Sequence, residues 1–225
     1  MELKAVCFDI DGTLYPKWQT KRSLLPSLCP SPTLALKYHR FRRDVRLYPS
    51  KGLKSENREE FLEKQAAWIG GKRAKEKIEN QFYAKWRSSF KKIKPYPFVR
   101  ETFEWLKAQG LKIAVLSDFP LEQKLHTLRL EDLVDYSLCS EETGYLKPHI
   151  KPFTVVCEAL ALEPTKLLYV GDSYTKDVVG ASATGMYSAL IKPKKWGKGP
   201  DATFTFSDYN EFKRKVENYF FKGES

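Results

Sequence analysis

Asp9 and Asp11 stand two residues apart in Asp9-Ile10-Asp11-Gly12-Thr13, just past an apolar run at residues 3–8. Carboxylates so spaced beyond a strand project to one side while Ile10 packs elsewhere, so one can act on an electrophilic centre and the other on its leaving group. Three further polar groups also follow apolar runs: Ser117-Asp118, Lys147, and Gly171-Asp172 with Asp177. Singly, a loop aspartate is most often a turn or cap residue. Together the groups specify phosphoryl transfer. Carboxylates repel a phosphate unless a cation intervenes, and Asp9 with Asp172 offers two hard oxygen ligands suited to the Mg²⁺ that usually partners phosphates. Lys147 adds positive charge for the transferring oxygens, and Thr13, Ser117 and the loop amides beside Gly12 can donate hydrogen bonds to them.

These groups need a scaffold that brings separate strand ends together. Strand-like runs are expected at residues 3–8, 112–116, 134–139, 166–170 and 187–191, alternating with helices near 98–109, 121–130, 153–160, 175–184 and 208–221. Such alternation predicts right-handed crossovers and a Rossmann-like, doubly wound parallel sheet, whose ligands bind beyond the carboxyl ends of the strands. Residues 17–94 break the pattern. There Leu34, Tyr38, Phe41 and Val45 follow helical spacing, Asn57 with Glu60 suggests a capped helix start, and Ile78, Phe82, Trp86 and Phe90 mark a third helix. Proline-rich loops are expected around 25–32 and 48–52. The chain therefore divides into a core, residues 1–16 with 95–225, and an inserted helical cap, residues 17–94, with hinges near 15–18 and 94–97.

Asp9-Ile10-Asp11-Gly12-Thr13, Leu116-Ser117-Asp118, Lys147-Pro148 and Gly171-Asp172-Ser173-Tyr174-Thr175-Lys176-Asp177 resemble, in order, the four motifs of the haloacid dehalogenase (HAD) superfamily. The insertion resembles that superfamily's helical C1-type cap. The resemblance implies a Mg²⁺-dependent phosphatase acting on a small phosphorylated metabolite. Asp9 would be the nucleophile that becomes an aspartyl-phosphate, and Asp11 the acid and base. Mg²⁺ would be held by Asp9, the backbone carbonyl of Asp11, and Asp172. Ser117 would bind phosphate, Lys147 would steady the phosphoryl charge, and Asp118 and Asp177 would support the site. Dehalogenases of the superfamily lack an acid at the position of Asp11, so phosphoryl transfer is favoured here. A phosphomutase shares every motif and is the nearer alternative; a non-catalytic or nucleic-acid-binding member using a basic cap is the further one.

Composition sets the remaining bounds. Of 225 residues with a formal net charge of +11, 21 Lys/Arg against 7 Asp/Glu fall between Lys17 and Lys94, and 18 against 21 fall elsewhere. A basic lobe beside a near-neutral one suits an anionic ligand or is a solvated helical face. Nucleic acid is not an expected partner, because it leaves the acidic motifs unexplained. Arg40, Arg42, Arg43 and Arg46 are expected mostly on a solvated face, and Trp18, Trp68, Trp86 and Phe82 mostly in a core rather than stacked on substrate. His149 is expected at the surface. Cys7, Cys29, Cys139 and Cys157 have no metal-site spacing, and the first apolar run is too brief for a signal or a membrane span. A cytoplasmic protein with reduced thiols is expected; the sequence is silent on oligomeric state.

Overall fold

A computed structural model describes residues 2–24, 32–47, 55–191 and 202–222. Six parallel strands form one sheet in the order β3-β2-β1-β4-β5-β6, with β1 at Ala5–Phe8, β2 at Lys112–Ser117, β3 at Tyr136–Cys139, β4 at Leu167–Gly171, β5 at Tyr187–Ile191 and β6 at Phe204–Phe206. The five expected strands are present, and β6 is an addition whose three residues carry too little alternation to be read from sequence.

The strands are apolar throughout because both faces are covered. Val6 and Phe8 of β1 join one core with Ile113, Val115, Leu168 and Val170, whereas Ala5 and Cys7 join the other with Ala114, Leu116, Leu167 and Tyr169. This is the two-residue alternation of a strand read on both sides. The first face is covered by α6 (Val99–Ala108), α7 (Glu122–Leu128) and α10 (Tyr209–Val216), the second by α8 (Ile150–Leu160) and α9 (Val179–Thr184). Strand order reverses between β1 and β4, where Phe8 pairs with Val170. The doubly wound fold therefore opens its ligand crevice between the loops that carry Asp9 and Asp172.

Among the described residues five α-helices lie between β1 and α6: α1 (Lys17–Leu24), α2 (Pro32–Leu47), α3 (Arg58–Ile69), α4 (Lys72–Ile78) and α5 (Ala84–Ser89), the last two joined by a π-helical turn at Glu79–Tyr83. The expected loops fall largely outside the described residues, and Pro32 opens α2. Helix α1 begins at Lys17, inside the 15–18 stretch expected as a hinge. Asn57 caps α3 by accepting from Glu60 N at 3.0 Å, but Glu60 returns its carboxylate to Glu56 N instead of to the cap residue. Leu34, Tyr38, Phe41 and Val45 are buried as their spacing predicts. Phe41, Val45 and Phe61 pack against Leu146 of the loop after β3, and Phe90 with Ile93 packs into the sheet's own core. Gly144 marks the closest approach: its φ is +74° and a Cβ there would overlap the carbonyl of Ser55, so only glycine fits between that loop and the start of α3. Among the described residues no helix is long and apolar enough to cross a membrane, and Cys7, Cys139 and Cys157 are buried free thiols.

Candidate active site

Asp9 follows β1 directly, its N–H donating to Val170 O at 2.8 Å, and its carboxylate is held at both oxygens. Thr13 Oγ1 donates to Asp9 Oδ2 at 2.9 Å, and Lys147 Nζ donates to Asp9 Oδ1 at 2.7 Å. The turn that returns Thr13 to Asp9 passes through Gly12 at φ +102°, where a Cβ would lie 2.5 Å from Asp172 Oδ2. Glycine at this position lets the first loop approach the Asp172 carboxylate.

Lys147 reaches the site from the loop after β3 and is almost fully buried. It also donates to Asp177 Oδ1 at 2.7 Å and to the Tyr169 hydroxyl at 2.8 Å. Burial alone would lower its pKa, but Asp177 and Asp9 overcome that and hold it well above the usual lysine value. Ser173 N donates to Asp177 Oδ2 at 2.9 Å, which fixes that carboxylate. Lys17, the first residue of α1, lies 2.8 and 2.5 Å from the two oxygens of Asp172.

Asp9, Asp172 and Asp177 present carboxylate oxygens within 4.8 Å of one another. Burial raises the pKa of Asp9 to about 7, with Asp177 and Asp172 adding to the rise and Lys147 opposing it. Asp172 is raised too, by burial and by Asp177 against Lys17. Three carboxylates here are paired with two lysines, Lys147 and Lys17, which leaves negative charge in excess. Hard oxygen donors converging with excess negative charge fit a divalent cation of the magnesium type.

Asp11 faces a different set. Its Oδ1 accepts from the Tyr15 hydroxyl, and its Oδ2 from Lys124 Nζ at 2.6 Å and Ser117 Oγ at 3.3 Å. Burial pushes its pKa up, but Lys124, the Tyr15 hydroxyl and Lys147 together outweigh burial and the net shift is downward. Ser117 Oγ also accepts from Phe119 N and from Lys124 Nζ, both at 3.2 Å. The hydroxyls expected to meet phosphate, on Thr13 and Ser117, are here committed to the two carboxylates.

Asp118 is placed otherwise. Its carboxylate accepts from Arg46 Nη2 at 2.7 Å, Ser140 Oγ at 2.8 Å and Lys147 N at 3.2 Å, and its carbonyl from Arg42 Nη2 at 2.6 Å. Burial would raise its pKa, but Arg46 and Lys147 hold it well below the usual range. Two arginines expected on a solvated face therefore turn inward, and that expectation is corrected for Arg42 and Arg46. Arg42 is buried because it lies four residues after Tyr38 on the face that α2 packs, and it also pairs with fully buried Glu141. Arg46, one turn on, further donates to Lys147 O at 3.1 Å. Arg40 and Arg43 are exposed, as expected.

Asp9, Asp11, Lys147, Asp172 and Asp177 share one cavity of about 630 Å³ with Asp118 at its wall. Phe82 and Trp86 line it too, while Trp18 and Trp68 are exposed, so the expectation that these rings lie mostly in a core is corrected. His149 lies at the start of α8 instead, where its ring accepts from Lys151 N at 3.1 Å and stacks on Tyr145. Sequence reasoning missed Tyr15, Lys17, Lys124 and Tyr169. A signal existed for Lys124: with Leu121, Leu125 and Leu128 it completes an i, i+3, i+4, i+7 face, so a lysine stood on the buried side of α7.

Residues 3–185 match the haloacid dehalogenase-like hydrolase family. The chain is 29% identical to the glyceraldehyde 3-phosphate phosphatase of Methanopyrus kandleri over 86% of each protein. It is 34% identical to the ribulose-1,5-bisphosphate 5-phosphatase of Halopiger xanaduensis over 50% of this chain and 48% of that protein. The 2-haloacid dehalogenase of Pseudomonas syringae pv. tomato superposes with a TM-score of 0.68 at 19% identity, over 96% of this chain and 99% of that one, a likeness of fold alone. The family match begins ahead of β1, runs through α9 and takes in all four polar strand ends, so the chain belongs to the haloacid dehalogenase-like hydrolase family.

Proposed function

We propose that this phosphoric monoester hydrolase cleaves a small phosphorylated metabolite through an aspartyl-phosphate on Asp9, with Mg²⁺ as cofactor. The observation that carries the reading is the Asp9 carboxylate, buried at the cavity floor and positioned by Thr13 and Lys147 beside Asp172. A carboxylate oxygen of Asp9 attacks phosphorus, the P–O bond to the alcohol breaks, and Asp11 gives its proton to the departing oxygen. Asp11 then takes a proton from water as that water attacks phosphorus, which frees phosphate and restores Asp9. The ionised Asp11 of the structure is in the form needed for this second half, and an arriving phosphate dianion favours its protonation for the first.

Asp9, Asp172 and the Asp11 carbonyl would hold Mg²⁺, with Asp177 placed to bind its water or to orient Lys147. The cation supplies charge that offsets the repulsion between phosphate and carboxylates. Thr13 and Ser117 would turn their hydroxyls to phosphate when it enters, and Lys147 would stabilise the charge on the transferring oxygens. Residues 17–94 serve as the cap over a core formed by residues 1–16 and 95–225, excluding bulk water during transfer. Buried free thiols support a reducing, cytoplasmic setting.

A panel of phosphate esters, assayed with and without Mg²⁺, tests this reading alongside Asp9→Asn. Mg²⁺-dependent phosphate release that disappears in the variant is expected. Release that persists in Asp9→Asn would exclude the aspartyl-phosphate route, and a phosphorylated product in place of free phosphate would make the protein a mutase.

A further inference from the structure

The upper cavity is built of rings. Phe82 and Tyr83 come from the π-helical turn, Trp86 from α5, Tyr38 from α2, and Phe119 from the loop directly after Ser117-Asp118. Tyr38 and Phe82 stack with centroids 4.4 Å apart and planes 3° from parallel, and Trp86 lies 4.6 Å from Phe119. The Arg42 guanidinium stands 4.2 Å from the centroid of Phe119, so that ring is fixed by a cation–π contact as well. Phe82, Trp86 and Phe119 remain half-buried at the cavity.

Three polar residues of this upper half, Tyr83, Arg42 and Arg46, are already engaged, while His39 and Lys176 line the cavity beside them. The Tyr83 hydroxyl donates to Glu141, Arg42 is committed to Glu141 and the Asp118 carbonyl, and Arg46 is committed to Asp118 and Lys147. Among the described residues the lining contains no Asn, Gln or Ser. A triose or sugar bears a hydroxyl on nearly every carbon, and each would lose water here with little to replace it. Trp86 Nε1 and Arg42 Nε are the exceptions: both are buried and have no hydrogen-bond partner among the described residues.

Resting on the phosphatase reading, we propose that the preferred substrate is the phosphate monoester of an alcohol that carries a flat aromatic ring. The phosphate sits on the Asp9 floor and the ring lies among Phe82, Trp86 and Phe119. Aromatic pairs add about 0.5–1.5 kcal/mol beyond burial of their area, and the cavity is large enough to take both phosphate and ring.

The test compares 2-phenylethyl phosphate with ethyl phosphate and glyceraldehyde 3-phosphate, using the full chain with Mg²⁺. The first two share an unactivated primary alcohol as leaving group, so their difference reports the ring. The expected kcat/KM ratio of phenylethyl to ethyl ester is about 30-fold, which is ~2 kcal/mol at 1.4 kcal/mol per tenfold. Phe82→Leu and Trp86→Leu should each shrink the ratio about 5-fold. Calorimetric binding of the non-hydrolysable 2-phenylethylphosphonate against ethylphosphonate separates the two readings. Preferential binding of the aryl phosphonate with no turnover of any ester would remove the phosphatase reading and keep the aromatic site. Equal binding of the two phosphonates, or better turnover of glyceraldehyde 3-phosphate than of the phenylethyl ester, would overturn the aromatic site whether or not phosphate is released.

Discussion

Lys124 Nζ lies 2.6 Å from Asp11 Oδ2, at a lysine whose side chain is wholly buried in a helix of the core. The acid that should protonate the leaving group thus has a dedicated counter-ion, backed by the rings of Phe90 and Trp86 at 4.9 and 5.6 Å. Lys124 lowers the Asp11 pKa against the pull of burial. Lys124→Met should reverse that balance and raise it. If kcat/KM for unactivated esters requires protonated Asp11, its alkaline limb must move to higher pH in the variant. A pH–rate profile checks this; an unmoved limb would show that Lys124 only fills space.

Asp11→Asn separates acid catalysis from nucleophilic attack. Loss of a general acid typically costs 10²- to 10⁴-fold, and the cost falls on leaving groups that need a proton. Turnover of alkyl phosphates should therefore drop by about 10³-fold, while p-nitrophenyl phosphate, whose phenolate leaves unaided, should lose far less in its first step. Burst kinetics with the aryl ester, an initial release of phenolate followed by slow dephosphorylation, would report the retained base defect. Equal losses for both ester classes would count against Asp11 as the acid.

The five long strands and the acidic, seryl and lysyl groups at their ends were legible because apolar runs and their terminating residues are local, and a parallel topology then forces those ends together. What stayed hidden depends on contacts remote in sequence. Arg46 meets Asp118 across 72 positions and Arg42 meets Glu141 across 99, so nothing near either arginine announces its partner. Their inward face was nonetheless written in α2, since Arg42 follows Tyr38 by four residues on the packed side. Charge ordinarily marks a solvated face, and burial with a paired carboxylate overrides that at Arg42 and, through Asp11, at Lys124. Strand β6 is three residues long, below the length at which alternation carries information.

Lys17 competes for the carboxylate that a cation needs. Its ammonium sits on both oxygens of Asp172, in a pair whose lysine is substantially exposed. Such pairs contribute about 1 kcal/mol or less, so Lys17→Met should lower the half-saturating Mg²⁺ concentration by about 5-fold at most. Protons compete as well. Asp9 and Asp172 both have raised pKa values, so the metal-free folded chain binds more protons than the unfolded chain in the range above the ordinary carboxylate pKa of ~4. Stability of the metal-free protein from these groups therefore falls as pH rises through that range. Mg²⁺ relieves the repulsion, and the rise in Tm that it brings should be larger at pH 8 than at pH 6. Thermal melts at fixed Mg²⁺ measure this, and a rise that is the same at both pH values would mean that no proton is displaced.

Arg42 and Glu141 join the inserted helices to the core through an ion pair that is nearly free of solvent, and Glu141 also accepts from Tyr83 at 2.8 Å and Arg58 at 3.3 Å. Removing one member of a buried pair leaves the other uncompensated, at a cost of about 3–5 kcal/mol, whereas replacing both by apolar side chains is often neutral. Arg42→Met should thus be strongly destabilising in urea. Arg42→Met combined with Glu141→Leu should recover a large part of the loss, although Arg58 and Tyr83 then lose an acceptor. The size of the recovery is the coupling between the two residues, and a double-mutant cycle reads it directly. If the double variant is as unstable as the sum of the singles, the pair joins the two parts by packing and not by charge compensation.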